Sequence, residues 1–159
     1  MKIKYFNSNF DKITHNKDID QNITNVIEKL PSLNIISDKN LLEDTIKISN
    51  QFKEKKEKII VFGTGGSNLG ARALNNVISN NKITLEFYDN VDPINFEQNF
   101  QNINFELTGF LVISKSGTTP ETLSQFSCLY QKAIEANKVE VFFSNTLIIT
   151  EFKESPLFK

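Results

Sequence analysis

Four apolar residues, Phe110 to Ile113, stop abruptly at six small or polar residues, Ser114 to Thr119, which in turn stop at Pro120. This junction constrains the fold more than anything else in the chain. An unbroken apolar run of this length reads as a strand buried on both faces. Pro120 marks a helix start, because the N–H it lacks is not needed in a first turn. Thr119 then stands where an N-cap belongs. Residues 109–123 are therefore read as strand, hydroxyl-rich loop and helix. Exposed backbone N–H groups and the positive end of the helix dipole share one space there, which suits an anion. The hydroxyls of Ser114, Ser116, Thr118 and Thr119 and the ammonium of Lys115 fit a phosphate in that space, with Thr118 the weakest candidate because it can face the core.

The same pattern occurs upstream. Ile59 to Phe62 is a β-branched and aromatic run, followed by Gly63, Gly65 and Gly66 and then by a helical stripe of Leu69, Ala73, Val77 and Ile78. Ile83 to Tyr88 reads as the next strand. Asp92 and Pro93 open a short helix through Phe96, Phe100 and Ile103. Pro120 to Ala136 reads as a long helix with Leu123, Phe126, Tyr130, Ala133 and Ile134 inward. Leu147 to Thr150 is favoured as the fourth strand, with Val139 to Phe143 as its approach. Strands alternating with helices predict right-handed crossovers and an open parallel sheet.

The first part of the chain is less distinctive. Residues 1–17 read as a polar arm. Asp18 to Leu30 reads as a helix with Ile23, Val26, Ile27 and Leu30 on one face, ended by Pro31. Asp38 is a fair N-cap for a second helix, whose buried stripe would be Leu41, Leu42, Thr45, Ile48 and Phe52. The charged run from Lys53 to Lys58 reads as a solvated helix end.

The 159 residues suit one ordinary domain that needs no disulfide to hold its core. A net charge of −1 gives no bulk attraction to nucleic acid or to an acidic membrane. There is no long apolar span and no secretory leader pattern, which points to the cytoplasm. The single cysteine, Cys128, sits mid-helix beside apolar positions and reads as an inert core or near-core thiol. His15 has no partner residues around it and reads as an ordinary polar residue.

The glycine-rich loop fails the familiar nucleotide signatures. The sixth position of Gly-x-Gly-x-x-Gly, counted from Gly63, is Asn68, and Asp89 is the nearest acidic residue to a ribose-binding position. No Gly-Lys-Ser/Thr follows, so it is not a P-loop either. Asn68 or Ser67 is expected to cap the following helix. Both loops leave the carboxyl ends of parallel strands, where open α/β sheets bind ligands.

Ser114, Lys115, Ser116, Gly117, Thr118 and Thr119, followed by Glu121 and Thr122, resemble the phosphate loop of sugar isomerase (SIS) domains. That loop is shared by sugar isomerases, glucosamine synthase and sugar-phosphate-sensing regulators. Gly63-x-Gly65-Gly66-Ser67-x-Leu69-Gly70 is more selective. With Lys115 and the stretch Tyr88 to Asp92, it is similar to the glucose-6-phosphate isomerase family over about residues 40–155. The chain departs from many members in having Asn68 for Asp and Gly117 for a bulky aromatic.

The resemblance implies an α/β fold, a three-layer αβα sandwich with an open parallel sheet and a helical N-terminal segment. Residues 1–37 would be an arm and helix, and 38–159 an incomplete SIS phosphosugar-binding domain whose second SIS domain is absent. It implies interconversion of glucose 6-phosphate and fructose 6-phosphate, in glycolysis and gluconeogenesis, through a cis-enediolate and without metal or organic cofactor. The family forms homodimers. By motif, the serines and Lys115 of the loops, namely Ser67, Ser114, Lys115 and Ser116, together with Thr119, would hold the phosphate. The backbones of Gly65 and Gly66 would lie against the sugar. The family's glutamate base, ring-opening histidine and enediolate arginine have no counterpart by motif here. Arg72 and His15 do not match, and Glu121 matches only a supporting position. The chain is thus expected to be an inactive enzyme fragment with no catalytic residue of its own. Other readings are a stand-alone sugar-phosphate-binding module (a sensor or a subunit), a different sugar-phosphate isomerase or aminotransferase domain, and a ligand-free α/β domain.

Overall fold

A computed structural model describes residues 17–78 and 82–159, so the expected arm and His15 lie outside the described residues. Four strands form one sheet: β1 (Lys58–Phe62), β2 (Thr84–Tyr88), β3 (Thr108–Ile113) and β4 (Thr146–Ile149). Their order is β2-β1-β3-β4 and every pairing is parallel. The α/β class and the open parallel sheet are as expected. The central strands β1 and β3 carry unbroken apolar runs, as strands of a parallel sheet do, with β1 buried on both faces and β3 fully buried on one.

Register places Ile60 and Phe62 of β1 beside Phe110 and Val112 of β3, on one face. Over that face lie α5 (Pro93–Phe100), α6 (Pro120–Glu135) and α7 (Val139–Ser144). They supply Phe100, Leu129, Ala133 and Phe142 to a buried cluster that also holds Phe105 and Leu157. Ring centroids within it are 6.2 Å apart for Phe62 and Phe100 and 5.2 Å for Phe110 and Phe142. Each buried phenylalanine is worth about 1.5–3 kcal/mol of transfer free energy. α5 starts at Asp92 and Pro93 as expected but ends at Phe100, short of Ile103; Asp92 caps it, accepting from the N–H groups of Ile94 at 2.9 Å and Asn95 at 3.2 Å.

Val139 to Phe143, expected to be an extended approach to β4, is instead helical. Asn137 takes a positive φ of 53° that ends α6, and the chain re-enters a helix at once. This short helix swings Phe142 into the aromatic cluster, so tertiary burial overrides the strand propensity of the valines. β4 begins one residue before the expected Leu147.

The opposite face is thinly covered. Ile59 and Val61 are buried, but Leu85, Phe87, Leu111, Ile113 and Leu147 are only half-buried, and Ile149 is exposed. Phe52, at the end of α3 (Lys39–Phe52), packs where Gly109 leaves room, since a Cβ on Gly109 would lie 3.0 Å from its ring. The expected inward stripe of α4 (Leu69–Val77) is not buried: Leu69, Ala73, Val77 and the following Ile78 are exposed. In α3, Leu41, Leu42, Thr45 and Ile48 are exposed as well, and Phe52 alone is half-buried. In α6, Leu123 and Phe126 are half-buried and Ala133 is buried, but Tyr130 and Ile134 are exposed; Thr122, Gln125 and Leu129 take the inner positions. Periodicity fixes a stripe along a helix, but burial needs a second surface against it.

The described chain forms two compact units, one through Lys47 and one from Ile48. In the first, α1 spans Lys17–Lys29, and Pro31 opens α2 (Pro31–Asn34) as well as following α1. Ile23, Val26, Ile27 and Leu30 are exposed. Asp38 caps α3 as expected, accepting from the Leu41 N–H at 3.0 Å. The charged run 53–58 is the expected solvated helix end only at its start, where the Lys53 N–H still donates to the Ser49 carbonyl at 3.1 Å. From there it is a turn with Lys55 at φ 61°, and Lys58 enters β1 and pairs with Glu86 at 2.7 Å. Among the described residues no helix is long and apolar enough to cross a membrane.

Candidate functional site

The strand order creates the site. From β1 the chain passes to β2 on one side, and from β3 it passes to β4 on the other. The loops leaving the carboxyl ends of these two adjacent strands diverge, which makes this the topological switch point, where open α/β sheets bind ligands. Both loops singled out from the sequence begin there. They are neighbours: a Cβ on Gly63 would lie 3.2 Å from the carbonyl oxygen of Ile113.

The first loop is open. Gly65 to Ser67 form a single 3₁₀ turn, with Gly65 at φ +54°. Gly65 and Gly66 are exposed, and a Cβ at either position would meet no atom within 4 Å. Among the described residues, nothing therefore fills the space above them. Ser67 is half-buried beside them. Asn68 precedes α4, but neither it nor Ser67 caps that helix through its side chain. Asn68 is fully buried and turns backward, its Nδ2 donating to the Gly63 carbonyl at 3.0 Å. It closes the loop instead, and its Oδ1 is buried with no partner among the described residues.

The second loop is wired internally. Ser114 is 2% exposed. Its Oγ accepts from the Gly117 N–H at 3.1 Å and lies 2.9 Å from Thr119 Oγ1. Thr119 occupies the expected N-cap position of α6, but its hydroxyl meets Ser114 rather than a helix N–H. Ser116 Oγ, at the surface, accepts from the Thr118 N–H at 3.2 Å and the Thr118 hydroxyl at 3.0 Å. Lys115 is exposed, with its ammonium 3.5 Å from Glu151. Pro120 has no N–H, and the backbone bond from Leu123 to the Thr119 carbonyl starts α6 at 3.0 Å. The first turn of α6, with its unpaired amides and the positive end of its dipole, thus begins directly after the hydroxyls of this loop.

Several other polar residues near the strand ends pair with the protein itself. Arg72 pairs with Asp89 at 3.0 Å, which takes up both the chain's arginine and the acid nearest a ribose-binding position. Gln125 of α6 donates to the Asn90 carbonyl at 2.7 Å and ties that loop down. The Tyr88 phenol is pushed up to about 12 by burial and by the nearby Glu86 carboxylate, so it stays neutral. Glu121 is exposed in the first turn of α6. Cys128, expected to be a core or near-core thiol, is exposed. No three His, Cys, Asp or Glu residues gather into a metal-binding group among the described residues. Sequence reasoning missed Glu151 and Ser155, which reach the second loop from beyond β4. No spacing rule relates them to it.

The family model for phosphoglucose isomerase matches residues 16–151. A probable glucose-6-phosphate isomerase of Methanococcus maripaludis is 42% identical over 83 residues, 48% of this chain and 19% of that protein. The glucose-6-phosphate isomerase of Borreliella burgdorferi is 34% identical over 126 residues, 75% of this chain and 23% of that protein. The chain thus spans about a fifth of the length of these curated relatives. Among solved structures, a hypothetical protein from Thermus thermophilus superposes with a TM-score of 0.64 at 26% identity, covering 73% of this chain and 28% of that one. A glucose-6-phosphate isomerase from Chlamydia trachomatis superposes with a TM-score of 0.62 at 24% identity, over 72% of this chain and 23% of that one. At that identity the likeness speaks for the fold alone.

Proposed function

The chain belongs to the phosphoglucose isomerase family, and from that premise we propose that it is the phosphosugar-binding part of an enzyme interconverting glucose 6-phosphate and fructose 6-phosphate. The observation that carries the proposal is the pairing of the two loops at the switch point. One offers glycine backbone with open space above it, and the other offers hydroxyls, a lysine and a helix start.

In this proposal Lys115, Ser116 and Thr119 meet the phosphate together with the first-turn amides of α6. Ser114 acts from beneath. Its oxygen accepts the Gly117 N–H, so donating its own proton to Thr119 leaves the Thr119 hydroxyl proton free for the ligand. Ser67 completes the phosphate contacts, and the sugar lies over Gly65 and Gly66. A phosphate dianion competes with Glu151 for the Lys115 ammonium, an exposed pair that costs little to separate. Charge-assisted hydrogen bonds of this kind contribute about 1.5–3 kcal/mol each, less the cost of ordering the ligand.

We assign no proton-transfer group for ring opening or enediolate formation within these 159 residues, and expect no turnover from them alone. The test is titration of the chain with fructose 6-phosphate, followed by amide NMR. Binding near the millimolar range, about −4 kcal/mol, should perturb residues 65–67 and 114–119 and weaken about tenfold in Lys115→Ala. A folded chain whose loop amides do not respond would overturn the site. Isomerisation at an enzymatic rate, free of host enzyme, would overturn the assignment of no catalytic group.

A further inference from the structure

We propose that the segment leaving β4, Thr150–Leu157, is the positioning element of the second loop, and that Gly117 is the contact through which it docks. This rests on the anion-binding role given above to that loop.

Two carbonyls of the loop are held from outside it. The Lys115 carbonyl accepts from the Glu151 N–H at 3.1 Å and from the Thr150 hydroxyl at 3.4 Å, and the Gly117 carbonyl accepts from the Leu157 N–H at 3.3 Å. In a trans peptide the carbonyl and the next N–H point in opposite directions, and there is no cis peptide bond among the described residues. Fixing the Lys115 carbonyl toward Glu151 therefore turns the Ser116 N–H away from that segment. Fixing the Gly117 carbonyl does the same for Thr118, whose N–H meets Ser116 Oγ. The segment thereby sets the direction of the Ser116 N–H and, through the Thr118 N–H, the placement of Ser116 Oγ. Leu157, 5% exposed, anchors it in the aromatic cluster.

Gly117 makes the docking possible. Its φ of +64° is one that side-chain-bearing residues rarely adopt. A Cβ there would also overlap Ser155 Oγ and Cβ and lie 2.9 Å from Thr150 Oγ1. Ser155 is 4% exposed, and its Oγ has no hydrogen-bond partner among the described residues. Its place against Gly117 is thus one of close packing. Glu151 adds a carboxylate that holds Lys115 at the loop while no anion is bound.

The test compares the unaltered chain, Gly117→Ala and Gly117→Ala with Ser155→Gly. Hydrogen exchange at the Glu151 and Leu157 amides reports docking, and titration with inorganic phosphate and fructose 6-phosphate reports binding. Gly117→Ala should lose protection at both amides and bind both ligands about tenfold more weakly. Adding Ser155→Gly should restore part of each, because it removes the overlap with Ser155 while the backbone strain and the close approach to Thr150 remain. Unchanged protection in Gly117→Ala would overturn the docking, and unchanged affinity with protection lost would overturn the positioning role. Should Gly117→Ala not fold, recovery of the fold by Ser155→Gly supports the contact, and no recovery counts against it. If the unaltered chain binds neither ligand, the anion role falls, while the exchange data still decide whether the segment docks as described.

Discussion

The two loops leave adjacent parallel strands, yet they use glycine for opposite purposes. At Gly65 and Gly66 no described residue occupies the space a side chain would take. At Gly117 the chain itself occupies that space, with Ser155. Among the described residues the positions above the glycines of the first loop are open, whereas the corresponding position in the second is filled by the protein itself. An identical residue type in a similar turn therefore carries different information, and only the neighbouring atoms tell the two cases apart. The hydroxyls divide in the same way. Those of Ser114 and Thr119 hold each other, whereas Ser116 stands at the surface.

This contrast can be broken by substitution. The largest effect is expected from Gly117→Ala, where a left-handed backbone costs about 1–2 kcal/mol and overpacking against Ser155 about 1–3 kcal/mol more. Chemical denaturation should show a midpoint well below that of the unaltered chain; an equal midpoint would mean that the second loop is as open as the first. Ser114→Ala comes next. It leaves the Gly117 N–H and Thr119 hydroxyl without their shared partner, at about 1–3 kcal/mol, and should weaken phosphate binding through Thr119. A loss of binding with no loss of stability would show Ser114 to be a direct ligand rather than a support. Asn68→Ala removes the buried bond to the Gly63 carbonyl. Since the unpartnered Oδ1 disappears with it, the net cost should be smaller, about 1 kcal/mol, read by the same denaturation. The smallest change in stability is expected for Gly66→Ala, within about 0.5 kcal/mol. Its Cβ projects into the space proposed for the sugar, so fructose 6-phosphate should bind more weakly while inorganic phosphate binds as before. Equal weakening for both ligands would place phosphate, not sugar, over the first loop.

Much of this was legible beforehand. The apolar runs at 59–62 and 110–113 located the central strands, and Asp38, Asp92 and Pro120 marked helix starts that the structure keeps. The two loops were legible as loops, and their placement at strand ends followed from the alternation of strand and helix. What failed was burial. The stripe of α4 has the helical spacing expected of it but is not buried, and Val139 to Phe143 became helical to bring Phe142 into the core. Thr119 occupies its cap position without acting as a cap, because its hydroxyl is turned to Ser114 Oγ, 2.9 Å away, instead of to a helix N–H.

The sequence by itself determined the strand–loop–helix units and the small-residue chemistry of both loops, because these depend on local backbone preference and on patterns a few residues long. It also pointed to the family through loop residues that keep a fixed local spacing. Tertiary contacts alone settle which loop hydroxyls pair with each other, which glycines are open and which are filled, and that the exit from β4 bonds to the second loop. Those outcomes depend on contacts such as Gly117 with Ser155 and Lys115 with Glu151. Their partners are far apart along the chain, so strand order, not sequence spacing, brings them together.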